Sequence, residues 1–509
     1  MCGVFGMASK KDGVASLTFL GLFALQHRGQ ESAGIAVSNG EKMYLHKAMG
    51  TIDWVFRRQI PLERRVDFII SNSDMPRRDL IEEVAEFESS QEEEVLAGIY
   101  GRVSIGHVRY STTGASGNKN IHPILFYFRG ETAAIAHNGN IVGLKRLRNI
   151  VKERGGYNFE GSTDTELIAA LVATSSQNSF YEAILETLPL LNGAFSLVFL
   201  HNETVYAVKD KFAIRPLCVG KTEDSYIVAS ETNALNLLGA EFLKEIGPGE
   251  GVILRPDSIK DFKWCDDGRW RSCVFDHGVY LSRPDSHMRG RSAKETRKTS
   301  GVFLARAHPV PRADIVVPVP DSGNAPAEGY AAESSIPLCS AIIRSHFTGR
   351  TFIEPVVKIR SLYRGIKYNP IQSDIEGMVV VVVDDSIVRG TTIPYIVKLL
   401  KDAGAKEVHV RVAAPPLREP CHLGVDLPWR KDYIANKIDE SGNIVARTVE
   451  EIRQEIERLA GVELDSLAYL SLDDLIRATD LPASSWCTGC FDGNWSVALE
   501  EEDYSPKLK

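Results

Sequence analysis

Residues 378–405 read MVVVVVDDSIVRGTTIPYIVKLLKDAGA. Five consecutive valines describe a strand buried on both faces, and the amphipathic run after the small-residue loop describes a helix. Two acids close the strand, and Gly390, Thr391 and Thr392 lead into the helix, whose exposed N–H groups suit a phosphate. The adjacent carboxylates Asp384 and Asp385 can take a pair of cis hydroxyls or a metal ion. A strand that merely ended in solvated acids would not need the Gly-Thr-Thr run at this spacing. The alternation recurs on either side. ADIVVPVP (313–320) precedes DSGNAPAEGYAAE, and EVHVRVAA (407–414) precedes a proline-rich loop. Strand–loop–helix repetition from about residue 300 onward predicts a parallel sheet covered on both faces.

The first half reads differently. GAFSLVFL (193–200), VYAVKD (205–210) and YIVAS (226–230) are short strands bounded by turn residues. EIGPGEGVIL (245–254) marks a turn into the second half, so the expected boundaries are 2–250, 251–470 and a loop-rich tail at 471–509. Between Arg57 and Ala97 the charge density rises, and DLIEEVAEFESSQEEEV predicts an exposed acidic helix with a solvated surface role. The N-terminus reads MCGVFG. Removal of Met1 before a small residue leaves Cys2 with both a thiol and the α-amine, and an amine titrating near ~8 can take the thiol's proton without a partner histidine.

Four further stretches place polar residues where a packed core would not: LQHRGQESAG (25–34), GHVRYSTTG (106–114), AHNGN (136–140) and STDTE (162–166). HNGN alone reads more readily as a hairpin loop than as a site. With Cys2, and in this order, the set resembles the class II, N-terminal-nucleophile glutamine amidotransferases. The resemblance implies an αββα sandwich for the first domain and Cys2 as nucleophile. It gives the Asn138 side chain and the Gly139 N–H to the oxyanion, which wants fixed donors in a dry site. Arg109 suits the α-carboxylate of glutamine as a fork-shaped donor, and Asp164 suits its α-ammonium. Arg28 and Tyr110 are implied as supporting residues of the glutamine site.

The 380–392 motif resembles the phosphoribosyl pyrophosphate site of type I phosphoribosyltransferases. By that resemblance Asp384 and Asp385 meet the ribose hydroxyls or their Mg2+. Ser386, Ile387, Val388, Arg389, Gly390, Thr391 and Thr392 cradle the 5′-phosphate. PVPDSGNAPAEGYA (318–331) resembles the pyrophosphate loop, with Ser322 as a further Mg2+ contact. RSHFTGRTFI (344–353) resembles the loop that closes over substrate and brings Arg350, and SRPDS (282–286) fits the same family. The closing loop departs from the usual pattern, with Arg344, His346 and Phe347 where Lys, Arg and Tyr are common. IRSLYRGIKYNPI holds one residue more than usual, and the acidic insertion is atypical.

A glutaminase half joined to this transferase half resembles the amidophosphoribosyltransferase family over residues 2 to about 495. The resemblance implies glutamine hydrolysis and transfer of the ammonia to C1 of phosphoribosyl pyrophosphate, where water must be excluded. It also implies purine nucleotides as feedback ligands and a homo-oligomer, dimer or tetramer. Many members hold a [4Fe–4S] cluster on four cysteines, and the settings here are RSCVF (Cys273), PPLREPCHLGVD (Cys421) and CTGCF (Cys487, Cys490). Cys273 sits one residue out of step with SRPDS. Four thiolates from three segments suit an iron–sulfur cluster or zinc. Cys218, Cys265 and Cys339 read as ordinary core or surface thiols.

Composition bounds the alternatives. The 509 residues carry a net charge of −8 and no basic tract, which disfavours a nucleic-acid binder. No apolar run reaches membrane-spanning length and no targeting segment is visible, so the cytoplasm is the expected compartment. Eight cysteines in so long a chain do not predict a disulfide framework. Two other readings compete. One is a paralogue with a regulatory or binding role and a weakened transferase half. The other is a sister amidotransferase making another product, disfavoured because neither a sugar-isomerase half nor an ATP-pyrophosphatase motif is present.

Overall fold

The computed structural model describes residues 2–56, 96, 98–110, 118–345, 368–427 and 429–499. They form two compact units. The first runs to Ser272 and also takes His422–Asp426 and the described residues Val497–Leu499; the second takes Cys273–Cys421 and Leu427–Ser496. The acidic stretch at 57–95 and the closing-loop residues from His346 to Lys367, Arg350 among them, lie outside the described residues.

Two antiparallel sheets build the first unit. One is ordered β11-β9-β10-β1-β4-β2-β3, from β1 (Gly3–Ser9), β2 (Ser32–Ser38), β3 (Met43–Met49), β4 (Val103–Arg109), β9 (Cys218–Lys221), β10 (Ser225–Ala229) and β11 (Glu241–Glu245). The other is ordered β13-β12-β8-β7-β6-β5, from β5 (Ile124–Phe128), β6 (Glu131–Val142), β7 (Asn192–His201), β8 (Thr204–Lys209), β12 (Glu250–Arg255) and β13 (Ser258–Lys263). Small and β-branched side chains fill the space between them: Val4, Ala36 and Ile105 from one sheet meet Ala134, Ala136 and Val198 from the other. Helices Val14–Ala24 and Thr232–Leu237 cover the outer face of the first sheet, with Leu22 and Leu235 in their core. Leu144–Glu153, Asp164–Ala173 and Phe180–Thr187 cover the second. The result is the expected αββα sandwich.

The expected boundary at 250/251 is corrected. The turn at Gly249, with φ of 69°, leads into β12, which pairs with β8 and continues the same sheet. Turn residues mark where a strand begins without showing which sheet it joins. HNGN, which alone would read as a hairpin loop, lies inside the twelve-residue strand β6.

In the second unit four strands, Ile315–Pro318, Val379–Asp384, Glu407–Val412 and Ser466–Tyr469, pair in that order and always in parallel. The valines 380–383 are wholly buried, as a strand covered on both faces requires. Helices Ile393–Asp402 and Val449–Ala460 pack on it through Ile396, Leu400, Ile452 and Ile456. The second of these starts at a capping box, Thr448 with Glu451, and stops at Gly461 in the left-handed region. The expected separate tail is not one: Ser471 to Ser496 belongs to this unit, and helix Leu472–Ala478 packs on helix Ala293–Ala307.

Candidate active sites

Cys2 stands immediately before β1, and the pairing of Gly3 with Val108 sets it beside the end of β4. Its thiol is buried and donates to the Tyr110 carbonyl at 3.8 Å. Its own carbonyl accepts from Arg28 Nε at 3.0 Å. Arg28 is also ion-paired with Glu231, which accepts from His27 Nε2 at 2.9 Å as well. Arg28 therefore acts on the nucleophile's main chain. Glu231 and His27 had no signal in the sequence, because their role depends on a partner some 200 positions away.

Asn138 is fully buried, and neither of its amide atoms has a hydrogen-bond partner among the described residues. In β6 it shares a face with Ala134 and Ala136, which pack against the sheet that carries Cys2. A buried unpaired amide costs about 1–3 kcal/mol, so this one marks a position built for something other than packing. Gly139 points its N–H the other way from β7. Ile141, two residues on, gives its N–H to Asp164 Oδ2 at 2.9 Å, and in an antiparallel ladder residues i and i+2 face the same edge. The β5 pairing ends at Ile135, so among the described residues no strand covers that edge at Gly139.

Arg109 ends β4, is buried, and has a guanidinium nitrogen, Nη1, with no hydrogen-bond partner among the described residues. Glu31 lies 3.8 Å from it. Asp164 opens helix Asp164–Ala173 behind the cap Thr163, whose hydroxyl accepts from Glu166 N. The sequence-derived residues Cys2, Arg109, Tyr110, Asn138, Gly139, Asp164 and Arg28 thus belong to one unit.

Three buried histidines form a cluster beside these groups. The His107 and His122 rings are 4.4 Å apart, His107 Nε2 lies 3.1 Å from the His137 carbonyl, and His137 Nδ1 is 3.0 Å from Thr165 Oγ1. Burial lowers all three, His107 to about 3 and His122 well below its ordinary value. All are neutral at pH 7, and the Arg109 charge lowers His107 and His122 further.

In the second unit Asp384 ends its strand and Asp385 follows it, both buried. The Asp385 N–H donates to Asp384 Oδ1 at 2.9 Å, and Ser386 Oγ to Asp385 Oδ2 at 2.7 Å. Ile387 is buried in the sheet's core, so its side chain packs and only its main chain is offered to a ligand. Arg389 and Thr391 are exposed, and Gly390 takes φ of 64° with Ile434 packed against it. The Ile434 N–H braces the loop by donating to the Val388 carbonyl. Ser322 lies in the turn after Ile315–Pro318, next to Gly323, which sits against the Val383 carbonyl. Both loops therefore leave the carboxyl ends of neighbouring parallel strands, where open α/β sheets bind ligands. Asp321 is ion-paired with Arg344. In SRPDS, Ser282 bonds Asp276 and its carbonyl accepts from Arg297, so that motif anchors helix Ala293–Ala307.

The four cysteines expected to act together come from three segments of this unit. The strand at Cys273 pairs with Trp486–Cys487, and the Arg418 and Glu419 N–H groups donate to the Cys490 carbonyl. Burial and the neighbouring Cys273, Cys421 and Cys487 push the Cys490 thiol well up. Among the described residues no three or more His, Cys, Asp or Glu are arranged to hold a single metal ion. Cys218 is a buried core thiol pushed far up by burial, while Cys265 and Cys339 are half-buried.

Residues 107–237 match a glutamine amidotransferase domain and residues 308–439 a phosphoribosyl transferase domain. Amidophosphoribosyltransferase from Mycobacterium bovis is 38% identical over 510 residues, covering 98% of this chain and 87% of the relative. The enzyme of the same name from Methanothermobacter thermautotrophicus is 38% identical, covering 98% and 95%. Among solved structures, the B. subtilis glutamine phosphoribosylpyrophosphate amidotransferase complexed with ADP and GMP aligns with a TM-score of 0.83. It is 33% identical and covered fully in both directions.

Proposed function

Because this chain belongs to the amidophosphoribosyltransferases, glutamine-dependent pentosyltransferases of purine biosynthesis, we propose how its own residues divide the work. The observation that carries the reading is Asn138, wholly buried with both amide atoms unpaired among the described residues, on the face turned toward the Cys2 sheet. Arg109 receives the α-carboxylate of glutamine and Asp164 its α-ammonium. The Cys2 α-amine takes the thiol proton, and Sγ attacks the side-chain amide carbon. Asn138 Nδ2 and the Gly139 N–H hold the oxyanion. The C–N bond breaks, the proton leaves with ammonia, and water hydrolyses the thioester to glutamate. Arg28 keeps the nucleophile's main chain in place.

In the transferase half ammonia displaces pyrophosphate from C1 of the sugar, giving 5-phosphoribosylamine. Asp384 and Asp385 hold the ribose hydroxyls, and the main chain of 386–392 holds the 5′-phosphate. The carboxylate and hydroxyl donors of Asp384, Asp385 and Ser322 fit Mg2+, a hard ion that would neutralise charge on the departing pyrophosphate. Cys273, Cys421, Cys487 and Cys490 fit a [4Fe–4S] cluster, a structural tie for the segments that carry them. The ADP and GMP on the B. subtilis relative support purine nucleotides as feedback ligands here. We place the protein in the cytoplasm as a homo-oligomer.

The test is a coupled assay of purified protein with glutamine or ammonium salt, phosphoribosyl pyrophosphate and Mg2+, reading glutamate and pyrophosphate together. Cys2→Ala should abolish the glutamine-dependent reaction and leave the ammonia-dependent one largely intact. Equal loss of both would show that Cys2 is structural.

A further inference from the structure

Five residues from the second half of the sequence, His422–Asp426, belong to the amidotransferase unit, and they lie on the strand that carries Asn138 and Gly139. Asn140 Nδ2 donates to the His422 carbonyl at 2.8 Å. Arg215, the largest fully buried side chain, donates from Nε to the Leu423 carbonyl at 2.8 Å, and a second nitrogen of the same guanidinium bonds that oxygen too. Gly424, at φ of 95°, approaches so closely that a Cβ there would stand 2.7 Å from the Gly139 carbonyl carbon and 2.9 Å from its Cα. Only glycine accepts both that φ and that contact.

The frame closes on itself. Ser196 sits opposite Asn138 in the β6–β7 register, and its hydroxyl donates to the Arg215 carbonyl at 3.2 Å. The three residues Asn138–Asn140 therefore touch His422 through Asn140, Gly424 through Gly139 and, through Ser196 in the strand next door, Arg215. Beyond Ile135 the β5 ladder no longer pairs with β6, and there 422–426 meets the strand at Asn140 and Gly139. An oxyanion donor helps only when it is fixed before charge develops.

We propose that Arg215 and the segment His422–Asp426 are positioning residues of the glutaminase centre, and that Gly424 sets the place of the Gly139 main chain. The proposal rests on the reading of Asn138 and Gly139 as oxyanion donors. Arg215 holds the segment, Asn140 and Gly424 fix its depth, and none of the three touches substrate.

The full-length chain carrying Gly424→Ala, and separately Asn140→Ala, tests it. Three quantities are read: kcat and KM for glutamine, the rate at which iodoacetamide alkylates Cys2, and ammonia-dependent turnover. Alkylation develops no carbonyl oxyanion, so it reports the nucleophile alone. The expected result is a fall in kcat of about tenfold or more, with KM changed less than about threefold. Alkylation and ammonia-dependent turnover should stay within about twofold. Should Gly424→Ala not fold, Asn140→Ala carries the same expectation. Unchanged kcat in the folded variants, or a loss matched by the ammonia-dependent rate, would overturn the proposal. A wild-type chain that makes no glutamate, or makes it after loss of Cys2, would instead overturn the reading of the site beneath it.

Discussion

At the scale of single residues, the roles proposed for the glutaminase site separate groups that meet substrate from groups that hold them. Asn138→Ala removes a proposed donor that makes no hydrogen bond among the described residues, so kcat for glutamine should fall by roughly 100- to 1000-fold with little change in stability. Steady-state kinetics beside a thermal melt would check both halves of that expectation. Glu231→Gln should do the reverse. It leaves Arg28 buried beside a neutral partner, a change that costs about 3–5 kcal/mol when a buried pair is broken outright. The melt should drop markedly, and Cys2 alkylation should become faster or slower as its main chain loosens. The acceptor groups of the site were legible in the sequence because each sits in a short motif with a chemical reason for its residue types. Glu231, Arg215 and Asn140 were not, since a single polar residue reveals nothing until its distant partner is known.

At the scale of elements, His107 on β4, His137 on β6 and His122 just before β5 form the neutral histidine cluster, and this predicts an acid-sensitive sandwich. In an unfolded chain a histidine titrates near 6.5, whereas folded His107 titrates at about 3. Below pH 6.5 the unfolded state takes up protons that the folded state refuses, so stability is complete above that pH and falls as acid is added. For one such group the loss between pH 7.5 and 5.5 is about 1.4 kcal/mol. Asp210 has the opposite sign. Burial raises it to about 6, so over the range down to its ordinary value protonation favours the folded form. Three histidines against one carboxylate leave a net loss, seen as a falling melting temperature. His122→Phe should reduce the proton uptake on unfolding by about one. The strands themselves were readable from alternation and valine runs. The extension of the sheet through β12 and β13 was not, because pairing partners are set by the three-dimensional path after the turn.

At the scale of the whole molecule, two chemistries share one chain, and their mutational phenotypes should differ. Asp384→Asn with Asp385→Asn should remove turnover with glutamine and with ammonium salt alike, since both nitrogen sources need the sugar held. Near wild-type ammonia-dependent turnover in that variant would show that the 380–392 loop is not the sugar site. Protein purified without oxygen should be brown and carry about four irons and four sulfides per chain, and Cys421→Ser or Cys490→Ser should lose the colour. A colourless protein with one zinc would favour four thiolates on a single ion. The parallel sheet and its two loops were legible because strand, acids and glycine fall in register along one continuous stretch. Membership of His422–Asp426 in the other unit was invisible, since nothing local distinguishes it from the loop around Cys421.

That membership also orders events during synthesis. The amidotransferase sandwich has its last strand once residue 263 has emerged, yet the piece that Arg215 and Gly139 pack against arrives only with residue 426. At about 5–20 residues per second the ribosome needs roughly 8 to 30 s to travel that far. Throughout that interval the first unit waits on the ribosome with a guanidinium that has not found its carbonyl and an oxyanion strand that has not found its brace. If 422–426 positions Gly139 as proposed, glutaminase competence comes only after most of the transferase half exists, and a nascent or truncated chain would not spend glutamine before it has a sugar site to serve.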